Sequence, residues 1–157
     1  MRAVTVVLVT ATLVALAGCG GGRRSHGDFV RDAGDICREA NRRFDRVTIV
    51  RPSAAHAEAA LAEIVEIGAV AVHDLRRVKP PKGDETDVSA WLGAFEQALD
   101  ELDYARSLLH DDEIVRALGA IARADVLTRR ARVLGRRIGV ARVCVVPQLL
   151  PGDEHSA

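Results

Sequence analysis

The sequence predicts an all-α protein: an up-and-down antiparallel four-helix bundle with an extended C-terminal tail stapled to it by a disulfide. Apolar residues recur at three- and four-residue steps in four successive blocks of the region 28–147, which is the period of an amphipathic helix. Proline- and glycine-containing segments separate the blocks. Two of the three cysteines lie near opposite ends of this region.

The first two blocks each present one apolar stripe. The first stripe is formed by Phe29, Ala33, Ile36, Cys37, Ala40, Phe44 and Val47. The second is formed by Leu61, Ile64, Val65, Gly68, Ala71, Val72, Leu75 and Val78. Pro52 cannot continue the first helix, and Ser53 is a suitable N-cap for the second. We therefore expect a helix boundary at residues 51–53.

The last two blocks are bounded in the same way. The third stripe is formed by Val88, Trp91, Leu92, Phe95, Leu99, Leu102, Ala105 and Leu109. The fourth is formed by Ala117, Ala120, Ile121, Ala124, Leu127, Ala131, Leu134 and Ile138. Pro80 and Pro81 exclude helix between the second and third blocks, and Gly139 can cap the fourth. Short connections make consecutive helices antiparallel neighbours.

Residues 1–18 have the pattern of a signal peptide. Arg2 supplies a positive charge, and residues 3–17 carry no charged side chain. A helix that spans a bilayer needs about 20 apolar residues, and this run is shorter and contains three threonines, at positions 5, 10 and 12. We expect an export leader that is removed from the mature chain.

The four residues Leu16-Ala17-Gly18-Cys19 resemble the lipobox of bacterial lipoproteins. The resemblance implies cleavage before Cys19, a diacylglyceryl group on its sulfur and acylation of the new amine, palmitate being a typical chain. The protein would then be held at the extracytoplasmic face of the cell membrane. Residues 19–27 would be the lipidated cysteine and a flexible, glycine-rich tether. The alternative is an ordinary cysteine after a conventional cleavage site.

With Cys19 lipidated, Cys37 and Cys144 remain as a pair in a compartment where disulfides persist. We expect them to form a disulfide that joins the first helix to the tail, whose residues 140–147 are largely β-branched. Two unpaired structural thiols are the alternative. Residues 148–157 are predicted to be disordered.

A wider resemblance covers most of the chain. The lipobox, the glycine tether, the segment Ile36-Cys37-Arg38-Glu39-Ala40-Asn41 and the late cysteine together resemble small uncharacterised lipoproteins of bacteria, actinobacteria in particular. This resemblance implies a helical domain and an envelope location, and it carries no activity.

An arginine series at seven-residue spacing stands out in the fourth helix: Arg116, Arg123, Arg130 and Arg137. Seven residues are nearly two helical turns, so these side chains share one slowly drifting stripe. Glu96, Asp100 and Asp103 share a face of the third helix, and the two stripes would meet across an antiparallel hairpin. The stripe is therefore either an interhelical charge ladder or a face that docks anionic headgroups or an acidic partner.

Few other function classes find support. The 22 basic and 22 acidic residues of the full chain disfavour bulk nucleic-acid binding. No Glu-x-x-His motif is present, and His56 near Ser53 has no acid to orient it, so we expect neither a metal or cofactor nor catalytic residues. The sequence favours a non-enzymatic binding or structural module of the cell envelope with an unidentified envelope partner. The alternative is a carrier or sensor of a small ligand or lipid, in a pocket that Trp91, Phe95 and Tyr104 could line.

Overall fold

The computed structural model describes residues 25–47 and 53–144, which form four α-helices. These helices are α1 (His26–Phe44), α2 (Ala54–Arg77), α3 (Glu85–His110) and α4 (Ile114–Arg137). The predicted all-α bundle is confirmed: α3 packs against both α2 and α4, and α1 packs against α2. The predicted leader, Cys19, the tether up to residue 24 and the tail from residue 145 lie outside the described residues.

Helix α1 begins with a capping box, two residues earlier than the predicted domain start at residue 28. The Ser25 hydroxyl accepts a hydrogen bond from the Asp28 backbone N–H, and the Asp28 carboxylate accepts from the Ser25 backbone N–H. This reciprocal pair satisfies two backbone donors that the first turn leaves without partners. The hydrogen bond from the Ser25 hydroxyl, followed by the one from Arg31, lowers the pKa of Asp28 below its usual value.

Removing this cap by Ser25→Ala is expected to lower the free energy of unfolding by about 1 kcal/mol, because Asp28 N–H loses its acceptor. Ser25→Asn keeps a capping side chain and serves as the matched control. Urea unfolding followed by circular dichroism measures both variants. Equal stability of the alanine and asparagine variants would show that the cap contributes nothing.

Helix α1 ends at Phe44, so Val47 of the first predicted stripe lies outside it. The other helix ends follow the local sequence. Ser53 caps α2 by accepting a hydrogen bond from the His56 backbone N–H at 3.3 Å, as predicted. Between α3 and α4 the chain reverses at Asp112, whose φ of 59° is left-handed. Gly139, with φ of 73°, ends α4 in the conformation that glycine adopts at least cost.

The core has two parts. At the end where α1 and α3 begin, buried residues of all four helices meet, with Phe29 and Trp91 the largest. At the opposite end the core comes from α2, α3 and α4 alone, with Leu61, Leu102 and Leu108 among its members. Buried alanines on α4 let it approach α3 closely; these are Ala117, Ala120, Ala124 and Ala131.

The segment after α4 holds α1 to the bundle. Cys144 forms the predicted disulfide with Cys37, at a Cα–Cα distance of 4.9 Å. Asn41 donates a hydrogen bond to the Val143 carbonyl at 3.3 Å. Residues 138–139 and 141–143 form turns, and the Val143 and Cys144 N–H groups both donate to the Val140 carbonyl, so this part of the tail is not extended. A Val-rich segment folds into turns here because it fills the space beside α1 instead of pairing with a strand.

Candidate binding surface

The four arginines of the predicted stripe all lie exposed on α4, but they differ in their partners. Arg116 contacts Glu113 and donates a hydrogen bond to the Tyr104 hydroxyl at 2.8 Å. Arg123 pairs with Glu101 of α3 at 2.9 Å. Hydrogen bonding to Glu113 and to Glu101 raises the pKa of Arg116 and Arg123, respectively.

Arg130 and Arg137, in contrast, have no hydrogen-bond or ion-pair partner among residues 25–47 and 53–144. From residue 126 to residue 142 the sequence contains no acidic residue at all. It contains six arginines: Arg129, Arg130, Arg132, Arg136, Arg137 and Arg142. Of these, Arg129 contacts Asp125 one turn earlier. The C-terminal half of α4 therefore carries a local excess of positive charge.

The predicted charge ladder between α3 and α4 is largely absent. Glu96 accepts two hydrogen bonds of 2.6 Å from Arg76 of α2, and Asp103 pairs with Arg106 on its own helix. The expectation that these two acids face the arginine stripe is therefore wrong. Seven-residue spacing identifies a common face of α4, but the rotation of α3 about its axis decides which acid reaches that face. The acid of α3 that reaches it is Glu101, which pairs with Arg123.

A second feature of the same surface was not anticipated from the sequence. An apolar strip, which we call the α4 ridge, runs along the outer side of α4 between the arginines. Its members are Val115, Leu118, Ala122, Val126 and Val133. Val115 is 84% exposed and Val126 is 56% exposed. At about 100° of rotation per residue, Val115, Ala122, Val126 and Val133 fall within about 40° of one another.

Arginines border this ridge on both sides, and among them only Arg129 has a described partner, Asp125. By the same rotation, Arg130 and Arg137 lie on one side of it, and Arg129 and Arg136 lie on the other. We call these four residues the arginine flanks. The sequence did contain a signal for the α4 ridge. Several apolar residues of α4 remain after the core stripe has been assigned. They lie at three-, four- and seven-residue steps among themselves, as a second stripe would.

The start of α1 lies at the same end of the bundle as the arginine flanks. His26 pairs with Asp84, in the loop before α3, at 2.9 Å. The His26 ring also lies beside Gly139: a Cβ added to that glycine would meet the His26 ring nitrogen Nε2 at 3.1 Å. The chain that precedes residue 25 therefore joins the bundle next to the C-terminal end of α4.

Two cavities are candidate ligand sites in the described part of the chain. An apolar one of ≈ 70 Å³ lies between the four helices, beside the disulfide, with Asn41 of α1 and Thr128 of α4 as its polar lining residues. A groove of ≈ 300 Å³ lies on the surface between α1 and α2. Two of its acids, Asp35 and Glu39, already pair with arginines one turn along α1. The smaller cavity is far below the roughly 300 Å³ at which small-molecule pockets begin.

Polar groups do not converge in the interior of the described part of the chain. Thr128 is the only buried polar side chain of the described residues, and its hydroxyl donates to the Asp125 carbonyl. Within residues 25–47 and 53–144, no three side chains of the His, Cys, Asp and Glu types are grouped as a metal site requires. Trp91 and Phe95 form an edge-to-face pair with the indole in the core, whereas Tyr104 is exposed on another part of α3.

Comparison with known proteins adds no relationship. No protein family, no curated protein and no solved structure matches this chain. Across the described ranges, no helix is both long enough and apolar enough to cross a bilayer.

Proposed function

We propose that this chain is an extracytoplasmic lipoprotein, held at the cell membrane by lipid on Cys19 after removal of residues 1–18. Its helical bundle would serve as a non-enzymatic binding or structural module of the cell envelope. The single observation that best supports this proposal is the Cys37–Cys144 disulfide. Disulfides persist in oxidising compartments, which agrees with export.

The disulfide also bears on Cys19. The sequence contains three cysteines, so pairing of Cys37 with Cys144 leaves Cys19 as the one outside the bridge. A cysteine with no disulfide partner in its own chain, directly after an apolar leader and the small residues Ala17 and Gly18, has the setting that lipidation requires. One acyl chain anchors a protein marginally, whereas two or three anchor it stably.

A binding role fits the distribution of polar groups better than catalysis does. Catalytic sites gather titratable side chains in a cleft and perturb their pKa values by burial. Here the titratable side chains of the described residues lie at the surface, and those with shifted pKa values owe the shifts chiefly to exposed hydrogen-bonded pairs. The cavities do not favour the carrier alternative. The apolar one is too small for a ligand, and in the larger groove Asp35 and Glu39 already pair with arginines of their own helix.

The decisive variant is Cys19→Ser expressed in a bacterial host. The unmodified chain is expected in the membrane fraction, with a mass that exceeds the polypeptide from residue 19 by its acyl chains. The Cys19→Ser variant is expected to lose those chains and to accumulate as an uncleaved precursor, as globomycin treatment of the unmodified chain should also cause. A matched pair, Cys37→Ser with Cys144→Ser, should leave lipidation intact. Recovery of an unacylated cytosolic chain with residues 1–18 still attached would refute the proposal.

A further inference from the structure

We infer that the α4 ridge, together with the arginine flanks, is a docking surface for an anionic lipid bilayer. The orientation of this surface rests on the proposed lipid anchor at Cys19. The inference goes beyond anchoring because it assigns a second, protein-borne contact with the membrane and fixes which side of the bundle faces the lipid.

The chemistry of the surface is that of an interfacial helix. Such helices place an apolar strip at the level of the headgroups and carry arginines or lysines beside it. The α4 ridge supplies the strip, with Val115, Leu118, Val126 and Val133 each more than two-fifths exposed. Arginine side chains can lie along the apolar boundary while their guanidinium groups reach phosphate oxygens.

The charge distribution selects an anionic bilayer as the occupant. Arg130 and Arg137 have no carboxylate partner in the described part of the chain, and no acidic residue occurs between positions 126 and 142. A phosphate-rich surface would supply the missing anions on both sides of the ridge at once. Each basic residue near such a surface strengthens binding about fivefold.

The position of the anchor agrees with this orientation. The chain enters the bundle at Ser25, beside His26 and Gly139, at the arginine-rich end of α4. Six residue steps separate Cys19 from Ser25, which span at most about 20 Å. Val126 lies about 20 Å along the helix axis from Gly139. A lipid on Cys19 can therefore reach the same bilayer on which the C-terminal half of α4 rests.

A second copy of the chain is a poorer occupant of this surface. If two α4 ridges packed against each other, Arg129 and Arg136, which lie close to the ridge axis, would be desolvated in the contact. Desolvation of such charges is costly unless the partner supplies well-placed carboxylates. A bilayer surface leaves these guanidinium groups among hydrated phosphates instead.

The test uses the mature polypeptide from residue 19 with Cys19→Ser, so that binding does not depend on lipid attached to the protein. Flotation with phosphatidylcholine vesicles containing about one-third phosphatidylglycerol should recover the protein, and 0.5 M salt should weaken the binding. Vesicles of phosphatidylcholine alone should recover little. The double variant Arg130→Gln with Arg137→Gln should lower the partition coefficient about thirtyfold. Val126→Asn with Val133→Asn should also lower it severalfold.

The matched control is Arg42→Gln with Arg106→Gln, which removes the same formal charge from exposed or half-buried positions on α1 and α3. It should leave the partition coefficient within about twofold. An equal loss in this control would assign binding to net charge and overturn the inference. Equal binding to vesicles with and without phosphatidylglycerol would overturn the inference as well. So would a dimer in analytical ultracentrifugation that Val126→Asn dissociates, because the ridge would then be a self-association surface.

The lipidated protein distinguishes failure of this inference from failure of the proposed function. A fluorophore on Val126→Cys should be quenched by spin-labelled lipids more strongly than one on Val70→Cys, an exposed position of α2. Lipidation at Cys19 without this difference would uphold the anchor and refute the docking surface. Vesicle binding by the Cys19→Ser polypeptide, in a chain that proves never to be lipidated, would uphold the surface and refute the anchor.

Discussion

Replacing both bridged cysteines, Cys37→Ala with Cys144→Ala, is expected to lower the free energy of unfolding by about 3 to 5 kcal/mol. The bridge joins residues separated by 107 positions, and closing a loop of about that length restricts the unfolded chain strongly. For a domain whose total stability is of the order of 5 to 15 kcal/mol, such a loss is large. Urea unfolding of oxidised and variant proteins, both in a Cys19→Ser background, measures the difference.

The loss should be greatest in α1. This helix contacts α2 less extensively than α3 contacts its two neighbours, and it supplies no residue to the core at the far end of the bundle. The bridge and the Asn41 hydrogen bond to Val143 bind it to the segment after α4. Hydrogen exchange should therefore accelerate in residues 26–44 well before it does in α3.

Reduction of the unmodified cysteine pair provides the control, because it breaks the bridge and keeps both sulfur atoms in the core. The free energies of unfolding of the reduced protein and of the double variant should agree to within about 1 kcal/mol, which is the scale of small changes in core packing. A double variant as stable as the oxidised protein, with unchanged exchange in α1, would contradict the role assigned to the disulfide.

Trp91→Ala is expected to lower the free energy of unfolding by about 3 to 5 kcal/mol, which is the range for deleting a large buried aromatic side chain. Trp91 is 1% exposed and is among the core residues at the end where all four helices meet. Its ring lies 5.3 Å from that of Phe95 in an edge-to-face pair. Gly135 lets α4 approach it closely: a Cβ there would meet the indole nitrogen at 3.3 Å.

Circular dichroism must follow this transition, since the variant lacks the chain's single tryptophan. Trp91→Phe keeps an aromatic ring, so its free energy of unfolding should fall clearly less than that of the alanine variant. Val126→Ala, which truncates an exposed side chain on α4, should change stability by no more than about 0.5 kcal/mol. If Trp91→Ala behaved like Val126→Ala, the assignment of Trp91 to the core would be wrong.

Local sequence was sufficient for most of the helical architecture. Pro80 separates α2 from α3 because proline cannot continue a helix, Gly139 ends α4 with a positive φ, and Ser53 caps α2 as predicted. The core stripe of α4 was also predictable, because its members recur at the helical period and the structure buries Ala117, Ala124 and Ile138. The start of α1 was predicted two residues too late. Its N-cap, Ser25, lies in a polar, glycine-rich segment that the sequence predicted to be a flexible tether.

The candidate surface was only half predictable. Spacing placed the arginine stripe of α4 on one face, but it could not say that Arg123 pairs with Glu101 or that Arg130 has no described partner. Those outcomes depend on the rotation of α3 and α4 about their axes, which helical periodicity leaves open. The α4 ridge was not predicted, because valines are common in cores, whereas on α4 small alanines are buried and larger valines are exposed.

The sequence by itself determined the number of helices, their boundaries to within a few residues and the cysteines available for a bridge. Backbone restrictions and side-chain periodicity are local properties, so a single chain segment expresses them. Only the tertiary structure decided which face of α4 stays uncovered, that α1 lacks a share in the distal core, and that the chain enters beside the arginine-rich end of α4. These features depend on how neighbouring helices pack, and close approach through alanine and glycine sets that packing.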